Sequence, residues 1–176
     1  MAGHINDMVS QHWNTPQYIV DAVRTVFPRL DFDPCDNEFS TTGATFHCYL
    51  PENDGLKMPW FNEDIGIETI FCNPPYGRDK ERKTSIADWV KKSYDESVLG
   101  ANVILLIPAA TEATFWFKYI WPYFKHICFV KGRVKFPIEG RGTGASTKGS
   151  AIILFSSDEE IASRFKNTFE KLGYVL

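Results

Sequence analysis

Asn73-Pro74-Pro75-Tyr76 is the stretch of this chain whose residue types and order can do chemistry. An exocyclic amino group on an aromatic ring is a poor nucleophile, because its lone pair is delocalised into the ring. Hydrogen-bond acceptors beside it favour a more tetrahedral nitrogen and stabilise the positive charge that develops as it attacks a methyl sulfonium. The side-chain carbonyl of Asn73 and the backbone carbonyl of Pro74 are two such acceptors. Pro75 has no N–H to compete and stiffens the loop, and Tyr76 offers a flat ring for a base. Turning a base out of a duplex costs a few kcal/mol, and stacking on an aromatic ring returns about 1–3 kcal/mol. The same tetrapeptide suits any amino nitrogen conjugated to a π system, including adenine N6, cytosine N4 and a glutamine side chain. No covalent nucleophile is needed, so Cys72, directly before the loop, reads as buried packing. The plainer alternative is that two prolines end a buried strand and Tyr76 covers the core edge.

The elements around this loop follow from periodicity and punctuation. Residues 67–72 form an apolar run of strand length that stops at the two prolines. Upstream, Thr15-Pro16 opens a helix in which Tyr18, Ile19, Ala22, Val23, Val26 and Phe27 recur at helical spacing, ending near Pro28. Short strands are expected at 30–34 and 44–50, separated by a turn-rich segment, with a loop at 51–62. Downstream, 85–97 reads as a helix capped by Ser85 or Thr84 and closed by Gly100. The run 102–107 reads as a buried strand, 114–123 as a helix, 127–136 and 150–155 as strands joined by a Gly-rich loop, and 159–172 as an amphipathic helix.

Alternating strands and helices predict an α/β fold, with a mixed, mostly parallel sheet and helices on both faces. The length of 176 residues fits one domain spanning 1–176, with no internal repeat and no dividing linker. In such sheets a ligand site lies beyond the carboxyl ends of the strands. Three loops qualify: 33–37, 73–78 and 108–111.

Composition narrows the function classes. Aromatic residues make up 15% of the chain, more than a plain scaffold needs, which points to stacking surfaces. No apolar run is long enough to span a membrane, and Met1-Ala2-Gly3-His4-Ile5-Asn6-Asp7 lacks the order of a signal peptide, so a soluble, cytoplasmic protein is expected. Cys35, Cys48, Cys72 and Cys128 form no C-x-x-C pair, and His47 and His126 bring no third or fourth ligand at suitable spacing, so no metal is expected. The net charge of −3 disfavours nucleic-acid binding by bulk charge. Basic residues are nevertheless clustered, in 78–83 and at Lys131, Arg133, Lys135, Arg141 and Lys148. Lys131, Arg133 and Lys135 alternate with Gly132, Val134 and Phe136, which on a strand makes one face basic. Residues 77–85 and 137–149 are the expected DNA-contacting loops, with Arg78 in the first.

Across most of its length the chain resembles the phage-type DNA N6-adenine methyltransferases, the small Dam-like family of bacteriophages and prophages. The resemblance is carried, in order, by Trp13-Asn14-Thr15-Pro16, Phe32-Asp33-Pro34-Cys35, Cys48-Tyr49-Leu50, Asp54-Gly55-Leu56 with Trp60, Phe71 to Gly77, Trp89-Val90-Lys91-Lys92, Leu105 to Ala109, Phe115-Trp116-Phe117 and Gly132 to Phe136. It implies a Rossmann-like core that binds S-adenosylmethionine and methylates adenine in double-stranded DNA. By resemblance, Asp33, with Pro34 and Cys35, contacts the methionine portion of the cofactor, and Thr15 and Pro16 close over the same portion. Asp54 accepts from the cofactor's adenine amino group, and Trp13 and Trp60 line the pocket. The chain departs from the pattern in two places. Residues 33–37 lack the Gly-rich turn of larger methyltransferases, and Pro108-Ala109-Ala110-Thr111 carries alanine where many relatives have arginine. The rival readings are methylation of cytosine N4, RNA adenine or protein glutamine, and a DNA-binding relative without catalysis.

Overall fold

A computed structural model describes residues 13–49, 52–140 and 142–176. Arg141 therefore lies outside the described residues, as do residues 1–7 and Leu50.

Among the described residues, nine strands and three α-helices follow one another. They are α1 (Gln17–Val26), β1 (Phe32–Asp33), β2 (Phe46–His47), β3 (Thr69–Cys72), α2 (Ile86–Leu99), β4 (Asn102–Pro108), β5 (His126–Val130), β6 (Phe136–Ile138), β7 (Gly142–Gly144), β8 (Ser150–Phe155), α3 (Glu159–Phe169) and β9 (Gly173–Val175). Seven strands make one sheet in the order β2-β1-β3-β4-β8-β5-β9. The first four are parallel, β8 is antiparallel to both β4 and β5, and β9 is antiparallel to β5, so β1 to β5 all point one way.

Alternation along the central strands builds two cores. Phe71, Ile104, Leu106, Ile152 and Leu154 face α1 and α3, while Ile70, Cys72, Val103, Leu105, Ile107 and Ile153 face α2 and the aromatic turn around Trp116. Both faces of the sheet are covered by helices, which is why β4 reads as an unbroken apolar run. The caps are local: the Ser85 N–H donates to the Asp88 carboxylate at 2.7 Å at the start of α2, and Asp158 accepts from the N–H groups of Glu160 and Ile161 at the start of α3.

Three expectations are corrected. The strand expected over 127–136 stops at Val130. Gly132 takes φ +76°, and the chain turns away, burying Val134 and Phe136 against α1's core before β6 pairs with β7. Residues 131–135 are not a strand, so the basic strand face does not exist. The helix expected over 114–123 is a π-helical turn, Trp116–Ile120, in which the Trp121 N–H reaches the Trp116 carbonyl at 2.8 Å and Pro122 follows. The last helix ends at Phe169, and the residues after it form β9, an edge strand with no apolar run to announce it.

Between β2 and β3 the chain carries little regular structure and is held by side chains. The Glu96 carboxylate, buried on α2, accepts the N–H groups of Trp60 and Phe61 at 3.1 and 2.8 Å and pairs with Lys92 at 2.5 Å. Glu96→Ala leaves two N–H groups buried without an acceptor and Lys92 without its partner. The expected loss is about 2–4 kcal/mol in urea unfolding, with a markedly smaller loss for Glu96→Gln, which keeps an acceptor oxygen.

Candidate active site

Because β1 and β3 are parallel neighbours, with Phe32 opposite Ile70, the loops that leave their carboxyl ends start side by side. Cys35 Sγ lies 3.7 Å from Cys72 Sγ, so the Asp33-Pro34-Cys35 loop touches the residue before Asn73. A third loop closes on the first. A Cβ at Gly55 would fall 2.2 Å from the Pro34 carbonyl oxygen, a contact with backbone that only glycine permits. That approach brings Asp54 beside the Asp33 loop, and the Trp60 indole N–H fastens it by donating to the Gly55 carbonyl at 2.7 Å.

Asn73 is half-buried, with Pro74 buried behind it. Its amide nitrogen donates to the Thr15 hydroxyl at 3.1 Å, which turns Oδ1 away from Thr15 as an acceptor. Thr15 and Pro16 are buried at the entrance to α1, where the Pro16 carbonyl accepts the Ile19 and Val20 N–H groups. The preceding residues tie this entrance to the β6–β7 hairpin. Trp13 bridges to Ile138 and stacks on Phe136 at 5.7 Å, and the Asn14 N–H donates to the Pro137 carbonyl at 2.9 Å. Tyr76 meets Phe136 edge-on at 5.9 Å, and its hydroxyl approaches the Leu106 carbonyl at 3.5 Å. Burial holds its phenol well above the ordinary value, so it acts as a neutral ring and not as a base.

Asp33 is 3% exposed. Its carboxyl is turned inward, with Oδ1 accepting the Cys35 N–H and Oδ2 the Thr42 hydroxyl, both at 3.0 Å. Burial, helped by the charge of Asp36, raises its pKa to about 8 against the opposing effect of those two bonds. Asp54 is more open: Oδ1 accepts the Leu56 N–H at 3.0 Å, while Oδ2 lies 3.8 Å from the exposed Lys57 amine. Trp60 is fully buried beneath this loop and stacked on Trp89, so it is packing and does not line a pocket.

A family model described as DNA N-6-adenine-methyltransferase (Dam) matches residues 2–171. The chain belongs to the Dam family. No individual curated protein matches it. Membership in the Dam family implies an enzyme that methylates N6 of adenine in DNA.

The basic residues of this Dam-family chain are arranged less simply than their clustering suggests. Arg78, Lys131, Arg133, Lys135 and Lys148 are all exposed. Lys148 is paired with Glu112, and the Arg133 guanidinium donates to the Ser146 carbonyl at 2.9 Å. In the turn after Tyr76, Asp79 and Thr84 close a short bridge, and Arg82 pairs with Asp79 inside it. Among the described residues no group of three or more His, Cys, Asp or Glu side chains is arranged to hold a metal ion, and no helix is long and apolar enough to cross a membrane. His47 stands 3.8 Å from Asp36 and stacks on Tyr49, and the His126 ring meets the Leu176 carbonyl at 2.7 Å. Sequence reasoning missed Asp31, Thr42 and Glu96, which shape the site's loops from inside. Only their burial marks them, and no motif does.

The raised pKa of Asp33 makes a pH prediction. Unfolded, the carboxyl titrates near about 4. Folded, it keeps its proton up to about pH 8. Its contribution to stability is thus full below about pH 4, falls as the pH rises, and is lost above about pH 8. Asp33→Asn does not titrate and can make both loop bonds. Its stability advantage over the parent is expected to widen from pH 5 to pH 8 and to level off above that in urea melts; a difference independent of pH would refute a buried neutral carboxyl.

Proposed function

We propose that the chain transfers a methyl group from S-adenosylmethionine to N6 of an adenine turned out of double-stranded DNA, using a Rossmann-like methyltransferase core within a single domain spanning residues 1–176. The observation that carries this reading is the meeting of Asn73, its Nδ2 held by Thr15, with the Asp33 and Asp54 loops at one end of the sheet in a Dam-family chain.

The residues present fit the cofactor. Asp54 keeps acceptor capacity, since among the described residues its carboxylate makes one near-ideal bond, to the Leu56 N–H, and it suits the amino group of a purine. The buried Trp13 indole N–H has no acceptor among the described residues, and a bound ligand's oxygen would satisfy it. Asp36 presents a carboxylate to a ligand that carries sulfonium and ammonium charge, while Asp33 braces the same loop from beneath and Pro34 and Cys35 shape it. When bound, S-adenosylmethionine supplies a methyl group already activated on a sulfonium.

The chain's own part is to present acceptors and exclude movement. Asn73 Oδ1 and the Pro74 carbonyl accept from the N6 amino group, hold the nitrogen lone pair toward the donor side and stabilise charge as the N–C bond forms and the methyl–sulfur bond breaks, the surplus N6 proton then passing to solvent. Pro74 and Pro75 hold the loop backbone, and with it the Pro74 carbonyl, in one conformation. Tyr76, braced by Phe136, gives the base a neutral aromatic contact. Arg78, with Lys131, Arg133, Lys135 and Lys148 flanking and within the hairpin region, meets phosphates through the 77–85 and 137–149 segments, and Arg141 belongs to the second by sequence.

Two measurements test this. Incubation with methyl-labelled S-adenosylmethionine and unmethylated duplex DNA, followed by digestion to nucleosides, is expected to put label on deoxyadenosine as its N6-methyl form. Label on cytosine, or on RNA or protein alone, overturns the substrate assignment. Asn73→Ala is expected to lower kcat by about 10²–10³-fold with cofactor affinity unchanged, and Asp54→Ala to weaken cofactor affinity first. An Asn73→Ala enzyme with full activity removes the amide from the mechanism.

A further inference from the structure

We infer that Thr15 is a positioning residue for methyl transfer, its hydroxyl fixing the Asn73 amide so that Oδ1 faces the substrate amino group. The inference rests on the role given to Asn73 under the proposed function, and it assigns Thr15 to the catalytic amide instead of to the cofactor.

The geometry is specific. Thr15 is 8% exposed, and its Oγ1 accepts from Asn73 Nδ2 at 3.1 Å across a sequence separation of 58. Its own place is fixed from both sides. Ahead of it, the Asn14 N–H is bonded to Pro137 and the Asn14 side-chain oxygen accepts from Asn37 Nδ2 at 2.9 Å. Behind it, Pro16 restricts Thr15 to extended backbone, and its carbonyl anchors the first turn of α1. The β-branched side chain has few χ1 wells, so a fixed backbone fixes the hydroxyl.

Asn73 lacks that stiffness. Pro74 limits its backbone, but the terminal torsion of an asparagine is broad. An amide is a donor at one end and an acceptor at the other. If the group rotates, its NH2 meets the substrate's amino group donor to donor, and the charge that develops there is no longer stabilised. With Nδ2 bonded to Thr15, the oxygen is the end left for the substrate. This bond is preorganisation at the reacting atom, so its loss should appear in kcat and not in ground-state binding.

The test compares Thr15→Val, which keeps the shape and removes the hydroxyl, with Thr15→Ser, which keeps the hydroxyl, in single-turnover methylation of duplex DNA by the full chain. Thr15→Val is expected to lower the methyl-transfer rate about 10–100-fold, with cofactor Kd and DNA KM within about threefold of the parent. Thr15→Ser is expected to restore the rate to within about threefold. On the Asn73→Ala background, Thr15→Val should cost nothing further, since the group it positions is gone. Thr15→Ala replaces the valine variant if thermal melting shows that valine does not fold. A Thr15→Val enzyme with the parental rate overturns the inference, as does a rate loss matched by lost cofactor affinity or an additive loss on Asn73→Ala. If the parent itself labels no DNA, the role of Asn73 fails first; if the parent is active and valine at 15 is harmless, only the role of Thr15 falls.

Discussion

The carboxylate of Asp31 sets the register on which the rest of the site depends. It is 3% exposed, and Oδ2 accepts the N–H groups of Glu68 and Thr69 at 3.0 and 2.9 Å and the Thr69 hydroxyl at 2.9 Å, while Oδ1 meets Arg29 at 2.6 Å. These bonds clamp the start of β3 to the residue before β1. A slip of one residue between these strands would turn every side chain to the opposite face. It would also move Cys35 away from Cys72 and the Asp33 loop away from Asn73. Strand β1 has only two residues in its ladder, too few to hold register by backbone bonds alone, so a buried charge with three donors does that work.

From that clamp the site grows by contacts among loops. The Asp33 and Asn73 loops leave the carboxyl ends of parallel strands, so their directions are set by the strands, and what remains is to fix the neighbouring segments to them. Pro34 against Gly55, Cys35 against Cys72 and Thr15 against Asn73 are three such junctions, and each joins segments far apart in sequence. The β6–β7 hairpin adds a fourth by stacking Phe136 on Trp13 and meeting Tyr76 edge-on. The Asn73–Tyr76 tetrapeptide is therefore held at its amide end by the entrance to α1 and at its aromatic end by the hairpin.

Several strands and helices of the core were legible because each carries a one-dimensional signal: the apolar run of 102–107, the 3.6-residue spacing of Ile19, Val23 and Val26, and the cap expected at Ser85 or Thr84. The proline pair after Cys72 likewise announced the end of β3. The hairpin was not legible, because Val134 and Phe136 continue the alternation of Cys128 and Val130 and join the same core after the chain has left the sheet, and only the left-handed Gly132 marks the break. The loop junctions were illegible for a different reason. A hydrogen bond between residues 15 and 73, or a carbonyl set against a missing Cβ, leaves no periodicity in the chain. Motif order suggested Asp33 as a direct ligand contact, but a sequence cannot tell a carboxylate that faces a ligand from one that bonds its own loop from beneath.

The buried Asp33 also bears on how an acidic chain would deal with two ligands of opposite charge under the proposed function. Its carboxyl, whose pKa burial raises to about 8, lies beneath the loop that the proposed function gives to the cofactor and holds it from within through the Cys35 N–H and the Thr42 hydroxyl. The basic residues face the other task with less surplus than their number suggests, since Arg82 and Lys148 already hold carboxylates. At physiological salt, charge acts over about 8 Å. Exposed cations in the turn after Tyr76 and around the hairpin then count for more than the net charge of −3. Under the proposed function, cations placed there would draw phosphates toward the segments that brace Tyr76 and Trp13.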